Sequence, residues 1–483
     1  MNIEGLGWNQ ATKAIRVHGE NLVPLAAKKQ NDVFTQLSKV VTNRALVLRD
    51  GKKSWVDKSA VVPDDILFLK AGDIVCADSF VLEQDSLLVD ESILVEGNAK
   101  EVTKKENLNL QRNSQDGIVY SGSYVVGGSA IVKVFATGKN IKYPRAAASN
   151  SISKYTGGIF SKVLKNTALK LSKHKVIIKN ANAIKELSTI NILITDIPGT
   201  FTLNKLNVES YDSVIDIQEF LKYSYLSVVE STDPLDKCIL HYLKLLNVEE
   251  QSEFLLHETP FDPINKFSSR KFKDFEIIKG DPEYIFGLTR KDTAEIQNKI
   301  IQNSKNGLKA VAFAIKHNRG FKYIGTYFYY DQIQEGVAAA VKEASHLGIQ
   351  LKIVTEESKE IASHIARSIG LAADGNIFAD TDNSDKYKII EMLKKEGTVG
   401  YISRGYDQLQ NLNIANVNLV TDSAVDIAKE KSSIILLSAN LATVVYAIEE
   451  SKKAIRRIKV YKALLLGGTV LILMLCLILS FAF

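Results

Sequence analysis

Several residues of this chain stand where a parallel β/α arrangement would put its chemistry. Asp196 ends the apolar run NILITD and is followed by Gly199 and Thr200. Thr355 ends LKIVT, Lys386 opens a helical pattern after Ala379, and Arg404 follows TVGYIS. In an open parallel sheet, ligands bind at the carboxyl ends of the strands. A carboxylate nucleophile, hydroxyls, a lysine and a further charged group are the parts needed for phosphoryl transfer through an aspartyl phosphate. Taken alone, Asp-x-x-Gly-Thr fits a plain strand-end cap equally well.

The surrounding sequence supplies the elements such a site needs. From Asn191 onward, strand and helix patterns alternate: KYIGTYFYYD, QEGVAAAVKEASHLG, IQLKIVTE, KEIASHIARSIG, SDKYKIIEML, TVGYIS and NVNLV. That alternation predicts a parallel sheet covered by helices on both faces. The stretch 207–306 interrupts the series with a composition of its own and reads as a domain inserted after the first strand. Between Arg44 and Gly138, short β-rich runs such as ALVL, ILFL, SFVLE and AIVKVFAT predict a small β domain. Residues 139–174, rich in Ser, Ala and Lys, read as a linker or loose helices.

With 46% apolar and 24% charged residues over 483 positions, the chain is folded multidomain material rather than disorder. Its net charge of +6 is concentrated in Lys452, Lys453, Arg456, Arg457, Lys459 and Lys462. A basic helix could meet nucleic acid, but the segment that follows, Ala463–Phe483, carries no charge and is long enough to cross a bilayer core at about 1.5 Å per residue. The competing possibility is a buried core helix. A basic flank predicts a cytoplasmic N-terminal side. The expectation is a single-pass membrane protein, mostly cytoplasmic, without nucleic-acid partners. The polar start is unlike a signal peptide. Cys76, Cys238 and Cys476 are far apart and form no metal-ligand cluster.

The motifs also carry a broad resemblance. DIPGTFT at 196–202 resembles the P-type ATPase phosphorylation motif DKTGTLT. VVPDDILFLKAGDIVCADSFVLEQDSLLVDES at 61–92 and YSGSYVVGGSAIVKVFATGKN resemble the actuator domain of that family. Residues 5–24 resemble its N-terminal element. FDPINK at 261–266, KGDPE at 279–283, SDKYKIIEML and the stretch AVDIAKEKSSIILLSANLATVVYAIEESKKAI follow in the family's order, and several lean toward its proton-pump branch. The resemblance implies an α/β multidomain protein with one C-terminal transmembrane helix. Its parts would be an N-terminal helical element (1–24), an actuator-like β domain (25–140) and a linker (141–180). A haloacid dehalogenase-like, Rossmann-like phosphorylation domain (181–206 and 307–457) would carry an inserted α+β nucleotide-binding domain (207–306), and 458–483 would span the membrane.

The same resemblance assigns Asp196, Thr200, Thr355 and Lys386 to catalysis. It assigns Phe261, Lys279, Asp236 and Lys266 to ATP binding, with Phe261 stacking on adenine. By themselves, Phe261 fits a core residue and Lys279 a solvated strand-end lysine. Mg²⁺ is expected for the family, yet several residues depart from its pattern. Ile197 and Pro198 replace Lys and Thr, and proline offers phosphate no N–H. The family's TGES falls on Val95, Glu96, Gly97 and Asn98, its TGD on Thr355, Glu356 and Glu357, and its GDGVND on the run from Ser403 to Gln408. Arg404 thus stands at the family's metal position, where it would either pair with Asp196 or point to solvent. The stretch 139–190 carries no apolar run of membrane length. These departures imply an ATP-binding pump homologue that has lost autonomous transport. The alternatives are an active aspartyl-phosphate enzyme completed by another membrane polypeptide, and a phosphohydrolase.

Overall fold

A hairpin opens the β domain. β1 (Arg44–Arg49) and β2 (Lys52–Asp57) pair antiparallel across Asp50 and Gly51, both at positive φ, as two-residue hairpin turns require. β3 (Ile66–Lys70), β4 (Asp78–Asp90), β5 (Glu101–Thr103), β6 (Ile118–Val119) and β7 (Tyr124–Ala136) complete a sheet of order β2-β1-β3-β7-β4-β5, with β6 on β4. Alternate residues such as Val47, Leu67, Val81, Val89, Val125 and Val132 fill its core. Arg49 and Asp65 are buried beside that core as a two-pronged ion pair, with Nε–Oδ1 at 3.0 Å and an Nη–Oδ2 contact at 2.7 Å. The second carboxylate oxygen also accepts from Val62 N, and the guanidinium donates to Ala60 O.

The computed structural model describes residues 5–22, 33, 44–91, 101–107, 109–112, 115–143, 159–231, 233–262, 266–289, 294–317, 320–403 and 414–482. The chain divides into two units. One comprises Met1–Leu193, Tyr387–Ala439 and Thr443–Phe483; the other comprises Ile194–Lys386 and Asn440–Ala442. The first unit holds the β domain and the helix Trp8–His18. It also holds the helix Ile159–Lys173, within the stretch expected to be a linker or loose helices. That helix is regular because Leu164, Ala168 and Leu171 fall at helical spacing and are buried. β8 (Val176–Ile178) and the helix Ala181–Thr189 follow, the latter capped by Asn180, whose side chain accepts from Ala183 N. β9 (Ile192–Thr195) begins in this unit, where Ile192 N donates to Thr398 O.

The second unit is dominated by β10 (Thr202–Ser213), β11 (His257–Asp262), β12 (Phe267–Lys271), β13 (Glu276–Gly280), β14 (Lys309–Lys316) and β15 (Phe321–Ile333). They form one antiparallel sheet of order β10-β15-β14-β13-β12-β11. This corrects one sequence expectation. KYIGTYFYYD, read as part of the parallel series, lies in β15 and is antiparallel to both neighbours. Its continuous burial from Tyr323 to Phe328 hides the alternation that would have marked it. The sheet therefore runs past residue 306 to residue 333. Tyr327 stacks on Phe220 at 5.2 Å and meets Phe313 edge-on at 5.5 Å, tying the helix Ile217–Val228 to the sheet. β16 (Gln350–Val354) and β17 (Ile377–Phe378) are parallel, and β16 lies beside β9.

The chain then returns to the first unit, where β18 (Val399–Ser403), β19 (Val417–Thr421) and β20 (Ile434–Leu436) are parallel neighbours and β8 closes the edge antiparallel. The final helix, Leu441–Ala482, is 42 residues long. Its first half is anchored by buried Val444, Val445, Ala447, Ile448, Ala454 and Ile458. By length and composition it is the one helix among the described residues able to cross a membrane. Leu464, Leu465, Leu466 and residues 470–475 are each more than half exposed, so that stretch is not buried by the described residues of this chain.

Candidate active site

Asp196 directly follows β9, and Thr355 directly follows β16, so the two adjacent strands deliver both residues to one sheet edge. Lys386 enters on the first turn of the helix Asn383–Leu393, with its N–H bonded to Asp382 O. Its side chain is almost completely buried and its ammonium lies 3.8 Å from Asp196 Oδ2. The same ammonium donates to Glu356 Oε1 at 2.9 Å. Lys386 is thus shared between two carboxylates and is closer to the one that follows Thr355. Asp196 Oδ1 accepts from Ile197 N at 2.7 Å.

Thr200 and Thr355 are both fully buried. Thr355 is fixed by its backbone: its N–H donates to Phe378 O, and its carbonyl accepts from Thr381 N and Thr381 Oγ1. The Thr200 hydroxyl is buried with no hydrogen-bond partner among the described residues, a state that native interiors rarely leave uncompensated. The turn around it is held from outside. Thr202 Oγ1 donates to Asp331 Oδ2 at 2.5 Å, and Gln334 Nε2 donates to Gly199 O and Thr202 O. Glu357 pairs with Lys309.

The second group of expected residues lies on the antiparallel sheet and the elements joined to it. Lys279, the penultimate residue of β13, donates to Asp236 Oδ1 at 2.6 Å and to Ser227 O at 2.9 Å. Burial lowers its pKa from the ordinary lysine value, against the opposing pull of Asp236. Asp236 is buried in the first turn of the helix Pro234–Leu245, whose N-cap is Asp233. Phe261 is 54% exposed in the irregular stretch of β11 between Thr259 and Asp262. The opposing β12 residue Ser268 pairs with Lys279. Lys266 sits at positive φ in the turn that ends the FDPINK run, and its backbone bonds Asp262 and Asp281.

The structure therefore brings Asp196 to Lys386, and Lys279 to Asp236. Arg404, Gln408 and the run Val95–Asn98 lie outside the described residues. Two features were missed in the sequence. One is the Glu356–Lys386 bond, whose only signal was the replacement of a small residue by Glu after Thr355. The other is Arg270, buried on β12, which donates to the carbonyls of Leu226 and Val229 and pairs with Glu258. It closes the C-terminal end of the helix that also supplies Ser227 O. Its signal was weak, an arginine in a short strand.

A lysine beside a carboxylate, with a buried hydroxyl lacking a partner, can hold a phosphoryl-sized anion. Among the described residues no group of three or more His, Cys, Asp or Glu is placed to hold a cation, and the Lys386 ammonium already stands beside Asp196.

The sequence profile of the P-type ATPase actuator domain matches residues 39–149. A Methanocaldococcus jannaschii protein that carries the name of a cation-transporting ATPase is 26% identical over 92% of this chain and 66% of its own length. The plasma membrane ATPase of Neurospora crassa is 23% identical over 89% of this chain and 57% of its own. Plasma membrane ATPase 2 of Saccharomyces cerevisiae is 24% identical over 89% and 55%. This chain thus spans about half to two thirds of the length of these relatives. A solved zinc-transporting PIB-type ATPase shares the fold at a TM-score of 0.50 and 16% identity, over 93% of this chain and 78% of that one.

Proposed function

As the chain is a homologue of the P-type cation ATPases, we propose that it binds ATP on its antiparallel-sheet domain, does not complete a phosphoenzyme cycle unaided, and drives no ion transport by itself. The observation that carries the reading is Lys386. In an aspartyl-phosphate enzyme such a lysine offsets charge on the transferred group. Here it is hydrogen-bonded to Glu356 at 2.9 Å and stands off Asp196 at 3.8 Å. Pro198 and Arg404 act in the same direction. The proline offers no N–H beside Asp196, and a permanent cation at the family's metal position repels Mg²⁺. The internal stretch 139–190 contains no uncharged run long enough to cross a bilayer. ATP would stack on exposed Phe261, with Lys279, Asp236 and Lys266 around it. The apolar helix would sit in a bilayer, with its basic flank on the cytoplasmic side.

A second reading keeps Asp196 as a working nucleophile in a pump completed by another membrane polypeptide, or in a phosphohydrolase. The unpartnered Thr200 hydroxyl favours it. One assay separates the two. Full-length protein is incubated with labelled ATP and Mg²⁺, quenched in acid and compared with Asp196→Asn and Glu356→Gly. The proposal expects no acid-stable label in the natural chain. Strong labelling that disappears in Asp196→Asn would replace it with the second reading.

A further inference from the structure

Two helices of the first unit run side by side, and their charge is one-signed. His174 lies against Tyr446 with ring centroids 4.2 Å apart, Lys170 pairs with Glu450 at 2.6 Å, and the Lys462 ammonium sits 5.6 Å from the Phe160 ring centre. These contacts run in opposite sequence directions, so Ile159–Lys173 is antiparallel to the final helix. Its first residues lie level with Lys462, the last charge before the apolar stretch.

From residue 451 onward the chain has six cations and no carboxylate. Between Asp116 and Glu186 there is likewise no Asp or Glu, although Lys and Arg recur throughout. Two cations farther along this helix pair are already engaged. Lys453 pairs with Glu449 and Glu450, and Lys170 pairs with Glu450. Arg456, Arg457, Lys459, Lys462 and Lys162 are exposed and have no acidic partner among the described residues. Ile159, 60% exposed, stands with Phe160 at the same end. An exposed apolar side chain at the end of a helix pair rich in cations without acidic partners, where one helix turns uncharged, matches the boundary of a membrane. There, anionic headgroups meet basic side chains and acyl chains meet apolar ones.

We infer that Lys162, Arg456, Arg457, Lys459 and Lys462 form a binding rim for anionic phospholipid headgroups, with Ile159 and Phe160 seated at the headgroup–acyl boundary. This rests on the reading that the apolar helix occupies a bilayer. A zwitterionic headgroup would bring its own cation to the rim and lose most of the attraction.

The test uses the full chain reconstituted in phosphatidylcholine vesicles containing spin-labelled phosphatidylglycerol or spin-labelled phosphatidylcholine. The expected result is a protein-associated component enriched roughly five-fold for the anionic label, the factor for one cation near an anionic surface. The enrichment should fall to near parity at high salt and in a variant with all five cations changed to Gln, with insertion unchanged. Equal association of both labels with the natural chain would overturn the inference, as would enrichment that survives the five changes. Displacement of the label by millimolar inorganic phosphate at constant ionic strength would also overturn it and assign the cations to free phosphate. Failure of the protein to stay in vesicles of either composition is a separate outcome. It would overturn the membrane reading and this inference with it.

Discussion

Individual residues in this chain differ sharply in how much depends on them. Arg49 and Asp65 are the most enclosed ion pair among the described residues, at 2% and 0% side-chain exposure. Removing one partner of such a pair leaves a charge without water or counter-charge and typically costs about 3–5 kcal/mol. Asp65→Ala should therefore lower the unfolding midpoint of the β domain strongly in urea. An Arg49→Met/Asp65→Leu double change should recover much of the loss, because it removes both charges. A midpoint unmoved by Asp65→Ala would show that the pair is solvated. At the nucleotide surface, Phe261→Ala should weaken ATP binding several-fold, since stacking on an aromatic face contributes on the order of 1 kcal/mol. Lys279→Ala should weaken it too. Calorimetric titration with ATP, with and without Mg²⁺, reads both; equal binding by natural and variant proteins would remove these residues from the proposed site. The nearness of Asp196 and Lys386 was legible in the sequence, because strand ends of a parallel sheet converge on one edge. The Lys386–Glu356 bond was not, because it joins residues 30 apart whose spacing shows only in three dimensions.

At the scale of elements, the parallel strands and the β domain were legible from apolar runs and turn residues. The antiparallel placement of β15 was not, because a strand buried on both faces carries no alternation to read. The helix Ile159–Lys173 was legible only as a linker or loose helices: its abundant lysines and small residues masked the apolar spacing of Leu164, Ala168 and Leu171. The aromatic packing that holds β15 to the helix Ile217–Val228 carries its own prediction. Burial pushes the phenols of Tyr223 and Tyr323 up to about 12, and raises Tyr327 as well. A folded-state pKa above the unfolded value favours folding at every pH below about 10, where unfolded tyrosine ionises. That contribution is lost as pH rises from about 10 through 12. Denaturant midpoints should hold to about pH 9 and fall by about pH 11. Absorbance at the tyrosinate band should show a class of phenols that ionise only as the sheet unfolds. Full ionisation of all tyrosines near pH 10 with the fold intact would contradict this.

For the whole molecule, the proposed bilayer placement of the final helix carries its own prediction. Full-length protein should fractionate with membranes and require detergent for release, and truncation after Lys462 should make it soluble. Recovery of the full chain in the soluble fraction without detergent would refute the bilayer placement. The truncated protein should keep its β domain and both sheets, since the buried anchor residues of the helix end at Ile458.

That helix runs without interruption from Leu441 to Ala482. It has no proline, and its paired glycines, Gly467 and Gly468, leave it continuous. An unbroken helix bends only gently, so its half packed in the first unit and its apolar half behave as one stiff rod. At about 1.5 Å per residue the apolar part is roughly 30 Å long, and a tilt of about 10° at its base would sweep its far end by about 5 Å. With the apolar half in a bilayer, as proposed, any rearrangement that rocks Val444–Ile458 would be delivered to the lipid, and any lateral force in the lipid would be delivered back. The rod would then make the domain and the bilayer two ends of a lever, whether or not a nucleotide is ever hydrolysed.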